Sequence, residues 1–375
     1  MRVLICPDKF AGTLSAPQVA AALAEGWSSA APGDGLVVRP LADGGPGFLE
    51  VLHGAAGGRL VAAETVDPLG RPAPGSVLVV GERAYLESAQ ACGLHLVTES
   101  ERNPRTTTSY GLGMLMEAAA ETGVREIVIG LGGSATNDAG AGALAALGAA
   151  PVDSAGYALP YGGAALADCV GLAGQPRLRS VRFVAATDVD SPLLGVHGAS
   201  KVYGPQKGAS PEDVQILDAA LEAFAGVLER SLAGCPSGLG ALPGGGAAGG
   251  LGAMVLALGG RCESGIGLVS RLSGLDRSLD EADLVITGEG SFDNQSLRGK
   301  VVAGVAAGAR DRGLPCLVVA GRASAGQREA AAAGVTEAHS LVDHFGALED
   351  AMARPAEGLR AIGARLARQR SHPFS

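Results

Sequence analysis

The chain has 375 residues, of which 47% are hydrophobic and only 3% aromatic, and it contains 59 glycines. A chain of this length can form two domains with cores of small aliphatic side chains, and it is too apolar to be disordered. The net charge of −9 and the lack of a Lys/Arg cluster argue against a nucleic-acid partner, so an anionic ligand would need a local basic site.

The six cysteines are scattered along the chain without a C-x-x-C pair. Scattered thiols in a chain of this size indicate reduced core residues, and a zinc site is not expected. The stretch Met1–Cys6 leads directly into a predicted strand, with no signal peptide ahead of it. The apolar helical segments are too short to cross a bilayer. We therefore expect a cytoplasmic protein with no membrane partner.

The first predicted elements are two strand–helix units. Strands are expected at Arg2–Cys6 and Leu36–Leu41, and each is followed by a helix. Asp8 and Asp43 stand just beyond the carboxyl ends of these strands. Consecutive units of this kind begin a doubly wound parallel sheet, and such sheets bind ligands where the loops after the strands gather.

The pattern then changes to three short strands at hairpin spacing. They are predicted at Arg59–Val66, Ser76–Val80 and Arg83–Glu87, separated by turns rich in glycine and proline. Hairpin spacing indicates antiparallel pairing. A second domain is therefore expected to begin near Asp67.

A glycine-rich segment follows the next predicted strand. Glu126–Ile129 is a short β-branched run, and Gly130–Asp138 combines glycines with Ser, Thr and Asn before a helix of small residues. Glycines allow backbone N–H groups to converge, and a helix N-terminus adds partial positive charge. The pattern favours a phosphate cradle, and the alternative is a tight strand-to-helix turn that binds nothing.

Strand and helix alternate again towards the end of the chain. Strand Arg182–Ala186 precedes Asp188, and Gly244–Gly252 is interpreted as a glycine turn into a packed helix. A strand at Asp283–Thr287 precedes Glu289, as acidic residues followed the first strands, and a further strand is predicted at Pro315–Ala320. The first domain is therefore expected to be discontinuous, with the antiparallel part inserted.

Several predicted strands end in carboxylates. Any one of Asp8, Asp43, Asp188, Glu289 and Asp293 could be an ordinary cap, but together they lie beside a predicted anion cradle. Mg²⁺ prefers a few carboxylate oxygens together with water and substrate phosphates. The combination points to phosphoryl transfer, in which the protein mainly positions groups and neutralises charge.

Two lysines are candidate phosphate ligands. Lys207 lies in a turn stiffened by Pro205 and bounded by glycines, and Lys300 stands at the start of a predicted helix. A solvated surface charge is the alternative for both, and for Arg105 it is the favoured interpretation. Other templates fail: the sequence has no G-x-x-x-x-G-K-[ST], no G-x-S-x-G and no complete dinucleotide fingerprint.

Six motifs of the chain are informative when taken together. They are Pro7-Asp-Lys-Phe-Ala-Gly-Thr-Leu-Ser15, Ala42-Asp-Gly-Gly45, Gly130-Leu-Gly-Gly-Ser-Ala-Thr-Asn-Asp138, Gly204-Pro-Gln-Lys-Gly-Ala209, Gly246-Ala-Ala-Gly-Gly-Leu-Gly252 and Thr287-Gly-Glu-Gly290. Together they resemble the type I (bacterial) glycerate kinase family, and they occur in the family's order. The resemblance implies ATP-dependent phosphorylation of D-glycerate, commonly at the 2-hydroxyl to give 2-phosphoglycerate.

The resemblance also implies an α/β fold with a flavodoxin-like, doubly wound parallel-sheet domain built from both chain ends. That domain would comprise residues 1–66 and 263–375, and residues 67–262 would form an inserted mixed α/β domain. We expect a small hydroxy acid to bind in the cleft between the two domains, in a monomer or homodimer, with ATP and Mg²⁺ as further requirements.

Site residues follow from these motifs as hypotheses. The catalytic candidates are Asp8, Asp43, Asp188 and Lys207. The candidate Mg²⁺ ligands are Asp188, Glu289 and Asp293. The residues expected to bind phosphate or substrate are Lys9, Gly44, Gly45, Thr107, Ser109, Gly132, Gly133, Ser134, Thr136, Asn137, Asp138, Gly208, Gly249, Gly250 and Lys300.

Four polar positions depart from the family's motifs. Ala11 stands where a lysine is usual, Pro46 replaces an acidic residue, Tyr110 a basic residue and Ser291 an arginine. A change of substrate or of phosphorylated hydroxyl is therefore an alternative. The sequence leaves open a kinase of a related small sugar acid, phosphorylation at the 3-hydroxyl, and a non-catalytic phosphometabolite-binding protein.

Overall fold

The computed structural model describes residues 1–178, 180–297 and 300–371. Over these ranges the chain forms two compact units. The first unit comprises Met1–Asp43, Glu50–Ala56 and the chain from Ile266 onward, and the second comprises Gly44–Leu49 and Gly57–Gly265. The domain limits predicted from the sequence, at residues 67 and 262, stay a prediction.

The strands of the described residues are numbered in chain order. They are β1 (Arg2–Ile5), β2 (Gly35–Val38), β3 (Arg59–Val66), β4 (Pro72–Val80), β5 (Arg83–Glu87), β6 (Glu126–Gly130), β7 (Ala149–Val152), β8 (Gly171–Gly174), β9 (Arg182–Ala186), β10 (Arg261–Glu263), β11 (Leu284–Phe292), β12 (Cys316–Ala323) and β13 (Glu337–Ser340).

The α-helices are numbered in the same way. They are α1 (Ala16–Ala30), α2 (Phe48–Ala56), α3 (Ala89–Cys92), α4 (Tyr110–Glu121), α5 (Ala141–Ala146), α6 (Ala199–Tyr203), α7 (Pro211–Ser231), α8 (Ala247–Ala257), α9 (Gly265–Ser273), α10 (Leu275–Asp280), α11 (Val301–Arg310), α12 (Gln327–Ala333), α13 (Leu341–Phe345), α14 (Leu348–Ala353) and α15 (Pro355–Arg370).

The sheet of the first unit is parallel throughout and has the strand order β13-β12-β11-β1-β2. Numbered within the unit, this is the flavodoxin order 2-1-3-4-5. Its three central strands, β12, β11 and β1, are largely buried and rich in Val, Ile and Leu, as expected when helices cover both faces. The prediction of a flavodoxin-like parallel sheet built from both ends of the chain is confirmed.

Helices α1 and α15 pack closely because glycines remove side chains at their contact. A Cβ atom at Gly26 would lie 2.2 Å from the carbonyl oxygen of Arg360, and one at Gly363 would lie 2.6 Å from that of Leu23. Trp27, the single tryptophan, is fully buried in this core, and its indole N–H donates to Asp34 at 3.0 Å.

The second unit contains a mixed sheet with the order β10-β9-β6-β5-β4-β3. The predicted hairpins are present, since β3–β4 and β4–β5 pair antiparallel, while β5, β6, β9 and β10 pair parallel. A separate antiparallel pair, β7–β8, was missed by sequence reasoning because its four-residue strands consist largely of Ala and Gly. The inserted part is therefore mixed α/β, as predicted.

Three predicted strand ends were wrong, and one of them is that of β12, which continues to Ala323. β11 continues to Phe292 because it pairs with β12 along its whole length, so Glu289 lies within the strand and not beyond its end. β2 stops at Val38, three residues before the predicted end at Leu41, and Pro40 lacks the N–H that a continued ladder would use.

Candidate functional site

A cavity of about 470 Å³ lies at the carboxyl ends of the first unit's strands. Its volume is in the range of small-molecule sites. Four carboxylates line it, namely Asp8, Asp43, Glu289 and Asp293. Sequence reasoning thus identified acidic residues that the fold brings into one cavity. Lys9, Lys300 and Arg322 also line it, so both signs of charge are present.

Glycines bring the backbone close together at the floor of this cavity. A Cβ atom at Gly321 would lie 2.5 Å from the carbonyl oxygen of Gly290, and one at Gly290 would lie 3.1 Å from the amide nitrogen of Ala11. The Gly-Glu-Gly motif therefore places β11 directly beside β12 and the loop after β1. A larger side chain at either glycine would have to displace backbone.

Asp8 is 8% exposed and lies against a lysine. Its Oδ1 accepts the backbone N–H of Lys9 at 2.7 Å, and the Lys9 ammonium lies 3.6 Å from Asp8 and 3.8 Å from Asp43. Burial raises the pKa of Asp8 to about 6, Lys9 opposes that rise, and the charge of Asp43 adds to it. Asp8 is thus a carboxylate at neutral pH that is more basic than an exposed one.

Glu289 is 9% exposed, and its Oε1 has no hydrogen-bond partner among the described residues. Burial raises its pKa to about 7; the Ser296 hydroxyl and the Lys300 charge lower it, and Asp8 and Asp293 raise it further. A buried carboxylate with an unpaired oxygen, next to other carboxylates, is held at a cost in free energy. A bound cation would relieve that cost.

The predicted Mg²⁺ ligands do not form a preformed cluster. Among the described residues, no three His, Cys, Asp or Glu side chains come together in metal-holding geometry. Glu289 and Asp293 line the cavity of the first unit, whereas Asp188 belongs to the second unit, where it accepts the Ser264 hydroxyl at 2.6 Å. The oxygen donors of Glu289 and Asp293 fit a hard cation that completes its shell with water and phosphate.

The Gly130–Asp138 segment lies in the second unit between β6 and the six-residue helix α5. The phosphate cradle predicted for this segment stays a prediction, but the N–H groups at the start of α5 already have partners within the chain. The carboxylate of Asp138 accepts the N–H groups of Gly140 and Gly142, at 3.1 and 3.2 Å, together with the N–H and hydroxyl of Ser109. The chain's own carboxylate therefore occupies these N–H groups at the N-terminus of α5.

Lys207 is only 1% exposed and holds this segment from behind. Its ammonium donates to the Ser134 hydroxyl at 3.0 Å and to the carbonyl oxygen of Thr136 at 2.6 Å. Burial lowers its pKa to about 7, and the nearby charge of Asp138 opposes that change. The interpretation of Lys207 as a solvated surface charge is excluded.

Glycines of the α8 segment complete the same cluster. A Cβ atom at Gly249, where φ is +72°, would lie 1.9 Å from the carbonyl oxygen of Thr136 and 2.7 Å from the Lys207 ammonium. Gly250 and Ala139 are also in close contact, and the N–H of Ala139 donates to Gly249. The motifs around residues 134–138, 207 and 246–252 therefore meet in one place.

The other residues predicted to bind phosphate or substrate are near this cluster or its neighbouring loops. Thr107 donates its hydroxyl to Ala135, and Asn137 donates its amide to Ser200. Thr136 Oγ1 and Asn137 Oδ1 are buried without a hydrogen-bond partner among the described residues. Backbone packing explains four glycines of the prediction: Gly44 lies against Ala186, Gly132 against Gly45, Gly133 against Pro46, and Gly208 against Arg102.

Sequence reasoning missed the apolar end of the 470 Å³ cavity, which includes Leu341, Leu348 and Met352. Leu348 and Met352 lie one turn apart on α14 and are about half exposed. No hydrophobic pattern marks so short a helix. Arg322 was missed because β12 was expected to end at Ala320.

The described part of the chain has no helix that is both long and apolar enough to cross a membrane. Its fold and its acidic cavity are those of an α/β protein with a candidate ligand site at the carboxyl ends of a parallel sheet. Comparisons with known proteins give the family. The model of the glycerate kinase family matches residues 3–371.

Three relatives illustrate the similarity. The chain is 39% identical over 359 residues to a glycerate 2-kinase of Escherichia coli, covering 94% of this chain and 93% of that protein. It is 39% identical over 365 residues to a glycerate kinase of Bacillus subtilis, covering 95% and 94%. A crystal structure described as glycerate kinase 2 from Salmonella typhimurium LT2 superposes with a TM-score of 0.80 at 37% identity, covering 100% and 99%.

The chain belongs to the glycerate kinase family. The resemblance found in the six motifs is thereby confirmed. The family model matches the chain despite the four departures at residues 11, 46, 110 and 291.

Proposed function

We propose that the chain is an ATP-dependent D-glycerate kinase that transfers a phosphoryl group to the 2-hydroxyl and releases ADP and 2-phosphoglycerate. The similarity to a glycerate 2-kinase supports the choice of acceptor and hydroxyl. The observation that carries the proposal is the acidic cavity, in which burial holds Asp8 and Glu289 at pKa values of about 6 and about 7.

In the proposed mechanism, Asp8 accepts the proton of the attacking hydroxyl. The glycerate oxygen forms a bond to the γ-phosphorus, the bond from phosphorus to the bridging oxygen of ADP breaks, and the proton passes to Asp8. A loose transition state asks only modest basicity of the base, which a carboxylate with a pKa of about 6 supplies. Lys9 holds Asp8 and Asp43 in place from 3.6 and 3.8 Å. Asp43 is the alternative base.

Glu289 and Asp293 would hold Mg²⁺, with Asp188 as a further proposed ligand or catalytic residue. The bound ion would neutralise charge on the ATP phosphates. The state of Glu289 supports this proposal. One of its carboxylate oxygens has no hydrogen-bond partner among the described residues, and its pKa is raised mainly because the charge is buried. Lys300 would contact phosphate from the same cavity.

The cluster around residues 134–138 is proposed to bind a polar part of substrate or nucleotide. Thr136 and Asn137 present buried polar atoms without partners, which is costly unless a ligand satisfies them. Lys207 acts as a positioning residue, since its ammonium is already bonded to Ser134 and Thr136. The hydrogen bond from the Ser109 hydroxyl to the Asp138 carboxylate also stabilises this loop.

The test is an ADP-release assay with D-glycerate and with larger hydroxy acids, followed by NMR of the product. We expect turnover to be fastest with D-glycerate and the product to be 2-phosphoglycerate. A preference for a larger hydroxy acid would make the chain a kinase of a related sugar acid, and 3-phosphoglycerate would move the reacting hydroxyl. Ligand-induced thermal stabilisation without ADP release would identify a non-catalytic binding protein.

A further inference from the structure

The acidic cavity of the first unit has a second, apolar end that the phosphoryl-transfer chemistry does not use. Leu348 and Met352 are 51% and 54% exposed and share one face of α14, four residues apart. Leu341 and Ala351 lie behind them and are buried. Half-exposed large side chains in a ligand cavity are places where an apolar part of a ligand gains binding energy.

The strand order relates this apolar end to the carboxylates. Helices α13 and α14 contact β12, and β11, with Glu289, pairs with one edge of β12. Beyond β11 comes β1, which leads to Asp8. Neighbouring strands are about 5 Å apart, so β12 and β1 are separated by about 10 Å. The cavity therefore runs from an apolar end to the proposed base over the length of several phosphate groups.

Arg322 supplies a cation to the same cavity. It belongs to β12, lines the cavity, is exposed, and stands directly beside Ser291 in the parallel register with β11. A guanidinium at this point is well shaped for two oxygens of a phosphate group. The cavity thus has an apolar surface and a cation at β12 and carboxylates on β11 and beyond β1, which match the base, the phosphates and the reacting phosphorus of a nucleoside triphosphate.

We propose that the adenine ring of ATP packs on Leu348 and Met352 and that Arg322 binds the phosphates between adenine and the transferred group. This subsite rests on the proposed kinase function and assigns the nucleotide base to the first unit. The ring would bury apolar area that water now covers on both side chains. D-Glycerate, which has no apolar part, would gain nothing at this end of the cavity.

The test measures the two halves of ATP separately by calorimetry, with adenosine and inorganic tripolyphosphate as probes. Leu348→Asp should raise the Kd for adenosine roughly tenfold and leave that for tripolyphosphate within about twofold. Arg322→Gln should do the reverse. Leu60→Asp is the matched control, because Leu60 is 48% exposed, lies in β3 and does not line the cavity.

Met352→Asp should reproduce the effect of Leu348→Asp. Trp27 fluorescence melting checks the folding of the first-unit variants, and circular dichroism checks that of Leu60→Asp. Unchanged adenosine binding in Leu348→Asp and Met352→Asp would overturn the proposed subsite. It would also be overturned if these variants bound D-glycerate more weakly and adenosine as well as the wild type does. The probes are bound and not turned over, so the binding test does not depend on catalysis. If the protein does not phosphorylate glycerate but its adenosine binding is weakened by these substitutions, only the proposed function is refuted.

Discussion

Two buried carboxyl groups of the acidic cavity are proposed functional groups and also lower the stability of the fold when they are charged. Asp8 and Glu289 are almost fully buried, and burial raises the pKa of each carboxyl towards neutrality. A group that is costly to keep charged is also a group that binds protons or cations readily. The same two side chains should therefore control pH dependence, metal response and stability.

Asp8→Asn should lower kcat by about 10²- to 10⁴-fold, the usual range for loss of a general base. In the wild type, kcat/KM should fall as pH decreases through about 6, because protonated Asp8 cannot accept the hydroxyl proton. The limb near pH 6 should be missing in Asp8→Asn, whereas a limb near pH 7 from protonation of Glu289 should remain. Asp43→Asn is the comparison, and a larger loss there, with the limb near pH 6 retained in Asp8→Asn, would transfer the role of base to Asp43.

Glu289→Gln should stabilise the protein while abolishing activity. The folded-state pKa of Glu289, about 7, lies above its ordinary value of 4.5, so the folded state holds a proton that the unfolded state releases between these pH values. The contribution of Glu289 to stability thus falls as pH rises from about 4.5 to about 7. At pH 8 the variant should gain up to about 3 kcal/mol in unfolding free energy, and nothing at pH 4.

Urea denaturation at both pH values measures this effect. A variant less stable than the wild type at pH 8 would contradict it. Mg²⁺ provides an independent readout of the same side chain: it should raise the Tm of the wild type and have little effect on Glu289→Gln, because the buried carboxylate is the proposed ligand.

Asp188→Asn tests the proposed role of a residue that the structure places in the second unit. Loss of kcat with an unchanged melting temperature is expected. The reference substitution is Ser264→Ala, which removes the donor of the 2.6 Å hydrogen bond to Asp188 without changing its charge. If Asp188→Asn turns over normally, Asp188 has neither proposed role.

At the scale of elements, the glycine-rich motifs are packing devices before they are ligand sites. Gly249 and Gly238 have nearly the same left-handed φ, +72° and +73°, but only Gly249 meets neighbours. Gly238→Ala should therefore cost about 1–2 kcal/mol from backbone strain alone. Gly249→Ala should cost more, because its Cβ would lie 1.9 Å from the Thr136 carbonyl oxygen.

Circular dichroism in urea gives this comparison, since both glycines belong to the second unit and the single tryptophan belongs to the first. Equal losses for the two variants would mean that the loop yields to the added methyl group. The packing role of Gly249 would then be disproved.

The elements that sequence predicted best are those with strong local patterns. Strand–helix alternation identified β1, β2, β11 and β12, and hairpin spacing identified β3–β5, because buried strands and short turns have a signature within a few residues. The acidic side of the site followed from the ends of these strands. The six motifs supplied the family.

What sequence could not provide depends on contacts between distant residues. Nothing local shows that Asp138 turns back onto its own helix, or that Lys207 is buried against Ser134 and not extended into solvent. Leu348 and Met352 form no recognisable sequence pattern, and their place in the cavity depends on the contact of α14 with β12. Arg322 could be recognised as a cavity residue only from the structure, in which the pairing with β11 continues β12 beyond Ala320.

At the scale of the molecule, the first unit joins the two ends of the chain. Gly26→Ala tests that junction, because the new Cβ would lie 2.2 Å from the carbonyl oxygen of Arg360. We expect a loss of about 1–3 kcal/mol, seen as an earlier transition of Trp27 fluorescence. Gly54→Ala, at a helical glycine with nothing within 4 Å, should be neutral or slightly stabilising. Equal midpoints for the two variants would contradict a tight α1–α15 contact.

The position of β1 has a consequence for synthesis on the ribosome. β1 lies between β11 and β2 in the sheet, so one of its two neighbours is translated only after the whole second unit. At 5–20 residues per second, the ribosome needs on the order of 15–60 s to reach β11 after β1 has emerged. During that interval an apolar strand has one unpaired edge, while the second unit already has all its strands. The nascent chain should therefore depend on chaperones that shield its first 40 or so residues.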